Sequence, residues 1–252
     1  MNALFGSLTT EGLEEATDRL GGFSALPTDI YTGPIKLAYA GQSSGGARSV
    51  TVVVDLDGRE YRETIYVTNR KGDNFYITKN DKKAQLPGFI VINDLCLCTT
   101  GNPLSEQPTE EKQVMIYDPE LKREVPTATH VLVDLLGKPV TLAIWNVISN
   151  KSQSDGNGGY VDLPDTRESN SIDKVFNTET MMTVPEALAE AEEATFHAAW
   201  LEKNKGKQKD ERTIKDGQAA PNGGRQGTPG QPPQSGAAKP AGKSLFGNKK
   251  AA

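Results

Sequence analysis

Aromatic and basic side chains interleave between positions 59 and 83. The members of this set are Arg59, Tyr61, Arg62, Tyr66, Arg70, Lys71, Phe75, Tyr76, Lys79, Lys82 and Lys83. Cations neutralise phosphates and aromatic rings stack on unpaired bases, so the combination suits a single strand of nucleic acid. The stretch carries a local charge of +3, whereas the whole chain carries −5. A solvated charged face with its aromatics turned to a core would produce the same pattern.

The residues that must position this set are β-branched and turn-forming. The run from Val50 to Val54 predicts a strand, because such side chains fit a pleated sheet and crowd a helix. Asp57-Gly58 follows and predicts a tight hairpin turn. A second turn at 69–74 leads to a candidate strand at 75–78. The sequence therefore predicts three consecutive antiparallel strands.

Other segments supply the rest of a β-rich fold. We expect strands at 35–40, 114–117, 130–136 and 140–148. Between 86 and 101 the apolar spacing favours a helix ended by Gly101, with a buried strand as the alternative. Ser43 lies in a G-x-S-x-G pattern, but a nucleophile elbow needs a strand-to-helix turn, and β-branched residues follow here. We interpret that segment as a loop.

The chain offers little material for a metal site or an active site. Cys96 and Cys98 supply only two thiolates, His130 and His197 are the only histidines, and a closed zinc site needs four ligands. We therefore expect buried thiols and neither a metal nor a cofactor. We find no phosphate loop, no H-E-x-x-H and no credible triad, so the prediction is a protein that is not an enzyme. The chain shows no signal peptide or membrane span, which predicts a cytosolic protein.

The C-terminal quarter differs from the rest in composition and charge. Thr183 and Glu186 form a capping-box pattern that predicts a helix to about Asn204, with Phe196 and Trp200 on one face. That face docks either on the chain's own body or on a neighbouring copy. From 206 onward Gly, Pro, Gln and Ser predict disorder, although Leu245-Phe246 echoes Leu4-Phe5. Residues 203–252 carry +8 and the remainder −13.

These observations divide the chain into five parts. They are an N-terminal segment with a short helix (1–27), a β domain (28–150), a polar loop (151–182), a C-terminal helix (183–205) and a disordered basic tail (206–252). Strands, then a helix, then strands is the order of an OB-fold, a partly open five-stranded antiparallel barrel. We therefore predict a mainly β protein with an OB-fold barrel and a connecting helix.

A resemblance supports this order. The segments at 66–76, 86–89 and 93–97, above all the Val67-Thr68-Asn69-Arg70-Lys71-Gly72 element and the Asn74-Phe75-Tyr76 that follows, are similar to OB-fold single-stranded DNA-binding proteins of tailed bacteriophages. The resemblance covers roughly residues 28–150. It implies a protein that coats single-stranded DNA during phage replication or recombination, in the cytoplasm of the infected host. That class usually recruits replication proteins through an acidic tail, whereas this tail is basic.

The leading hypothesis is sequence-independent binding of single-stranded DNA. The expected contacts are Arg59, Tyr61, Arg62, Tyr66, Arg70, Lys71, Phe75, Tyr76, Lys79 and Trp145. An RNA-binding OB protein is the first alternative, since only recognition of the 2′-hydroxyl separates the two. A protein that assembles with other proteins, without nucleic acid, is the second. Further partners of the leading hypothesis are neighbouring copies through the C-terminal helix, and phage or host replication proteins.

Overall fold

The chain is mostly β-structure over residues 24–156 and 159–214, which the computed structural model describes. The strands in this part are β1 (Asp29–Gln42), β2 (Arg48–Leu56), β3 (Arg59–Tyr66), β4 (Phe75–Ile77), β5 (Lys83–Gln85), β6 (Thr109–Asp118), β7 (Arg123–Leu132), β8 (Pro139–Ser154), β9 (Tyr160–Phe176) and β10 (Gln208–Asp210). The helices are α1 (Pro87–Thr100), α2 (Val184–Leu188) and α3 (Phe196–Asn204), with 3-10 turns at Leu104–Glu106 and Val133–Leu135. None of the described helices is long and apolar enough to cross a membrane.

Strand β1 joins the two halves of the main sheet. Its first half, Asp29 to Pro34, pairs antiparallel with β8, and its second half pairs antiparallel with β2. The register shifts between Ile35 and Leu37, where the strand passes from one partner to the other. Gly33 permits this close approach, because a Cβ there would lie 1.8 Å from the carbonyl oxygen of Asp55. The resulting order is β9-β8-β1-β2-β3.

The β-branched run of β2 builds the core, as the sequence predicts. Side chains alternate along a strand, so Val50, Val52 and Val54 point inward and are buried. They meet Ile144 of β8 and Leu95 of α1 in one apolar cluster. The predicted strands β1, β2 and β3 and the predicted helix α1 are all present, and α1 ends at Gly101 in the left-handed conformation.

The main sheet is open between β3 and β9 over the described residues, where these two strands form no ladder. A side chain spans the gap instead. The carboxylate of Glu63 on β3 accepts a hydrogen bond from the backbone N–H of Ile172 on β9 at 2.9 Å, and one from the Ser171 hydroxyl at 3.2 Å. Helix α1 packs on both strands beside this opening. Gly88 lets it approach, since a Cβ there would lie 2.2 Å from the Tyr66 carbonyl oxygen.

Two hairpins lie outside the five strands β9-β8-β1-β2-β3 of the main sheet. Strand β4 pairs with β5 and not with β3, so the predicted third strand exists but does not extend the meander. The turn at 69–74 lies between the two strands and closes on itself, with the Asn69 N–H donating to the Asp73 carbonyl at 2.8 Å, so it does not join β3 and β4 as a hairpin. Strands β6 and β7 pair over ten residues, and β7 joins β1 through Tyr39 and Val131.

The predicted polar loop at 151–182 is wrong. Strand β8 continues to Ser154, and β9 occupies 160–176 as its antiparallel partner. Strand β9 is hard to recognise in the sequence because, among the described strands, it pairs only with β8, and it buries few side chains, chiefly Ile172, Val175 and Phe176 near its end. Exposed polar residues fill the remainder, so the strand resembles a loop in composition.

The predicted helix from Thr183 to about Asn204 is two helices. The capping box is present, with the Thr183 hydroxyl accepting from the Glu186 N–H. One oxygen of the Glu186 carboxylate accepts from the Thr183 N–H, and the other accepts from the N–H groups of Thr195 and Phe196 at 2.9 and 2.8 Å. The bonds to Thr195 and Phe196 cap the N-terminus of α3. Between the two helices Glu190 adopts the left-handed conformation, with φ of 52°, which ends the helical path of α2.

The predicted start of the disordered tail at 206 is also wrong. Residues 208–210 form β10, parallel to β8, and Ile214 is buried. The Asn150 side chain holds this segment by accepting from the N–H groups of Thr213 and Ile214. The predicted helix near residues 10–20 and the tail beyond 214 lie outside the described residues.

Candidate nucleic-acid interface

Alternation along β3 separates the predicted contacts into two groups. Tyr61 points into the main apolar cluster, is 6% exposed, and donates a hydrogen bond from its hydroxyl to Glu63 at 2.6 Å. It has no open ring face for a base, so we remove Tyr61 from the candidate site. Arg62 and Tyr66 lie on the opposite face, in register with Val53 and Ser49 of β2.

The basic side chains of β3 have partners within the protein. The Arg59 guanidinium donates to the carbonyl oxygen of Ser24, which ties it to the segment before β1. Arg62 pairs with Glu60 at 3.2 Å on the surface. Arg59 and Tyr66 are seven residue steps apart along the strand, a distance of about 23 Å. Arg59 therefore lies at the far end of β3 from the remaining predicted contacts.

The loop after β3 is held in shape by Asn69. Its side-chain oxygen accepts hydrogen bonds from the N–H groups of Lys71 and Asp73 at 2.8 and 3.0 Å. This geometry fixes the backbone on which Arg70 and Lys71 are exposed. The Arg70 side chain lies over the β1–β2 loop, because a Cβ on Gly45 would be 3.2 Å from its Nε.

The β4–β5 hairpin presents apolar and cationic side chains together. Tyr76 is 48% and Ile77 55% exposed, although both are large apolar residues. Lys79, Lys82 and Lys83 are exposed around them. By alternation Phe75 and Ile77 share the face opposite Tyr76, and the Lys83 ammonium lies 4.4 Å from the centre of the Phe75 ring. This cation–π contact covers one face of Phe75, so Tyr76 is the more accessible ring.

The hairpin and the end of β3 form one surface. The base of the hairpin closes through a hydrogen bond from the Leu86 N–H to the Asn74 carbonyl, and Gly88 follows directly beside Tyr66. We call this surface the basic end. Its members are Tyr66, Arg70, Lys71, Phe75, Tyr76, Ile77, Lys79, Lys82 and Lys83. It brings together six of the ten predicted contacts and adds Ile77, Lys82 and Lys83.

The added residues were partly visible in the sequence. Lys82 and Lys83 belong to the interleaved pattern, but nothing in it marks them as closer to the aromatics than Arg59 is. Ile77 carries no such signal, because an isoleucine in a short strand is ordinarily taken as a core residue. The β4–β5 pairing is what exposes it.

Trp145 belongs to another surface. It lies on β8 and meets Trp200 of α3 edge-on, with ring centres 5.6 Å apart. The Trp200 indole N–H donates to Asp173 at 2.7 Å. Leu142 and Ile144 of β8 point into the main apolar cluster. Because side chains alternate along a strand, Trp145 lies on the opposite face, which packs against α3. The structure places Trp145 in the contact that docks α3 on the body, and not among the residues of the basic end.

The cysteines and Ser43 lie in structural settings. Burial raises the pKa of the Cys96 and Cys98 thiols to about 12, so both are protonated at neutral pH. Within the described residues no cluster of three or more His, Cys, Asp or Glu side chains is arranged to hold a metal ion. Ser43 lies in a strand-loop-strand turn, as predicted, and its hydroxyl accepts from the Ala47 N–H.

No protein-family model matches this chain, and no curated protein is significantly similar to it in sequence.

Proposed function

We propose that the protein binds single-stranded DNA with little sequence preference, through the basic end. The observation that supports this most directly is the β4–β5 hairpin, which exposes Tyr76 and Ile77 among three lysines. Stacking on an exposed ring is sequence-tolerant because every base has a π-face, and lysines follow the phosphates. The resemblance of residues 28–150 to phage single-stranded DNA-binding proteins is the basis for proposing a role in phage replication or recombination, in the host cytoplasm.

We also propose that β1, β2, β3, β8 and β9 correspond to the five strands of an OB barrel. Three observations support the correspondence. The strands follow one another as β9-β8-β1-β2-β3, the helix α1 comes between the third and fourth of them in the chain, and Glu63 links the two free edges. In this proposal the β4–β5 and β6–β7 hairpins are insertions, and the first of them carries the DNA-binding residues.

The acidic body shapes how such a site works. Residues 1–202 carry −13, so the protein as a whole repels a polyanion and only a local cationic surface attracts it. Binding through a few exposed cations weakens steeply with salt, because each neutralised phosphate releases counterions. We therefore expect a log–log slope of affinity against salt of about −0.7 for each phosphate contacted on a single strand.

The experiment is a titration of a fluorescently labelled oligo(dT) by anisotropy, at several salt concentrations. A labelled oligonucleotide is used because Trp145 and Trp200 pack against each other and neither belongs to the basic end, so the label reports binding directly. The duplex of the same length and the matched RNA strand serve as comparisons. Equal affinity for the duplex, or no binding at low salt, would refute the proposal. Tighter binding of the RNA strand would favour an RNA-binding protein.

A further inference from the structure

The β6–β7 hairpin has one packed face and one open face. On the packed face Val114 and Val131 meet Tyr39 of β1 in a small apolar cluster. On the open face Met115 lies opposite Pro126, with 50% of Met115 exposed, and Tyr117 lies opposite Glu124, with 57% of Tyr117 exposed. We call the open face the apolar strip. Its members are Met115, Tyr117, Leu121, Pro126 and Ala128.

Carboxylates surround the apolar strip. Residues 109–132 contain five acidic and three basic side chains, in contrast to the cationic β4–β5 hairpin. Glu124 is directly opposite Tyr117, and Glu111 shares the open face by alternation along β6. A nucleic acid would be repelled here, even though an exposed aromatic is present. The strip suits an apolar peptide that carries positive charge.

Strand β6 also has an open edge. Among the described strands β6 pairs only with β7, so the main-chain groups along its other side are not engaged in a ladder. Such an edge accepts an extended peptide as an added strand, with side-chain contacts giving selectivity. The apolar strip and this edge together form a surface on which a short peptide can make both kinds of contact.

We propose that residues 243–250 of the same chain dock on the apolar strip. Leu245 and Phe246 are the only large hydrophobic residues after Ile214, and Lys243, Lys249 and Lys250 flank them. No acidic residue follows Asp216. The segment therefore matches the strip in both respects, apolar centre against apolar centre and cations against carboxylates. The basic end would repel the same segment, which gives the pairing its selectivity.

The connecting chain is long enough for this contact. Thirty residues separate Ile214 from Leu245, and that length spans up to about 100 Å. A folded unit of the described size has a radius of gyration of only about 16 Å, so the hairpin is within reach. Tethering raises the effective concentration of the segment to the order of millimolar, so a weak contact suffices to hold it.

Disulfide trapping in the full chain tests the proposal. One variant combines Gly247→Cys with Ala128→Cys, on the apolar strip. Its matched control combines Gly247→Cys with Thr127→Cys, the adjacent residue, which is exposed on the other face of the same hairpin. Cys96 and Cys98 compete poorly, because burial raises their thiol pKa to about 12. We expect the intramolecular disulfide to form at least tenfold faster in the Ala128 variant than in the control.

Further variants keep the outcome decisive. Adding Leu245→Ser and Phe246→Ser to the Ala128 variant should reduce its rate to that of the control. Equal rates at positions 127 and 128 would overturn the proposal. Disulfides formed mainly between chains would overturn it too, by assigning the strip to a second copy. Faster trapping of Ser7→Cys than of Gly247→Cys by Ala128→Cys would assign the strip to the Leu4-Phe5 segment instead.

Discussion

Strand β3 and the β4–β5 hairpin come from one uniform stretch of sequence, yet they have different roles in the structure. Both carry tyrosine among basic residues. On β3, Tyr61 is buried in the main cluster, and Arg59 and Arg62 are held by neighbouring groups. On the hairpin, Tyr76 and its lysines face solvent.

The difference follows from what each strand pairs with. Strand β3 has β2 on one side and α1 packed against it, so every second residue enters the core. Within the described part of the chain β4 and β5 pair only with each other, and a two-stranded ribbon has no interior. An aromatic residue in a cationic stretch is thus a candidate for stacking only where the strand lacks a second layer.

The largest expected effect is on stability, from Tyr61→Ala. Removing a buried aromatic side chain leaves a cavity and typically costs about 3–5 kcal/mol. The change also removes the hydroxyl that donates to Glu63. Urea unfolding should show a loss of this size, while oligo(dT) affinity, measured where the variant is folded, stays within about twofold. A loss of affinity without a loss of stability would return Tyr61 to the binding site.

The next effect is on binding, from Tyr76→Ala. A ring that stacks on a base contributes about 1–3 kcal/mol to binding, so affinity should fall by that amount. Because the Tyr76 side chain is half exposed, the free energy of unfolding of the variant should differ from that of the parent protein by less than about 0.5 kcal/mol. Tyr117→Ala is the matched control, a similarly exposed tyrosine on the acidic hairpin. Equal losses of affinity in the two variants would mean that neither hairpin is a specific site.

The sequence was informative wherever local chemistry and the fold agree. The β-branched run of β2, the Asp57-Gly58 turn and the Gly101 stop of α1 each specify their own conformation within a few residues. Asp57 and Gly58 both have positive φ, as a tight hairpin of this kind requires. These elements depend little on distant partners, so their bounds follow from the residues themselves.

The sequence was uninformative where the conformation of a segment depends on the distant segment that it pairs or packs with. Strand β9 is polar over most of its length and forms because β8 offers a long edge. The break between α2 and α3 follows from a carboxylate that bonds two helix starts, which no intrinsic propensity of the alanine- and glutamate-rich segment foretells. Which of Tyr61, Tyr76 and Trp145 is open to solvent likewise depends on the layer above each one.

A smaller effect should come from charge at the hairpin tip. Replacing Lys79 and Lys82 with Gln removes two exposed cations, and the log–log salt slope should flatten by about 0.7 for each one that contacts a phosphate. Lys112→Gln with Lys122→Gln is the matched control on the acidic hairpin. The salt slope of oligo(dT) binding is measured by anisotropy on the parent protein and on both double variants. An unchanged slope in the first variant would exclude the hairpin tip from the DNA path.

The smallest expected effect is a pH dependence that arises at Glu63 on β3. Burial raises the pKa of this carboxyl, and the hydrogen bonds from Tyr61, Ile172 and Ser171 offset only part of the rise. In the window above the ordinary glutamate pKa and up to the raised value, the folded state binds more protons than the unfolded state. Stability from this group is therefore fully present below that window and is lost as pH rises through it, with a slope of at most about 1.4 kcal/mol per pH unit.

Glu63→Gln separates this titration from the bridge between β3 and β9. The amide oxygen can accept from Tyr61 and Ile172 where one carboxylate oxygen does now, and the amide nitrogen can donate to the Ser171 hydroxyl. The variant should keep the fold and lose the slope. Asp94 also has a raised pKa, and Glu186 has a pKa lowered to about 2, so both groups add to the pH dependence of stability. They are present in the parent protein and in the variant, so the difference in unfolding free energy between these two proteins isolates Glu63. Urea unfolding of both at several pH values gives that difference, and parallel curves would show that Glu63 is ionised in the folded state at the same pH as in the unfolded chain.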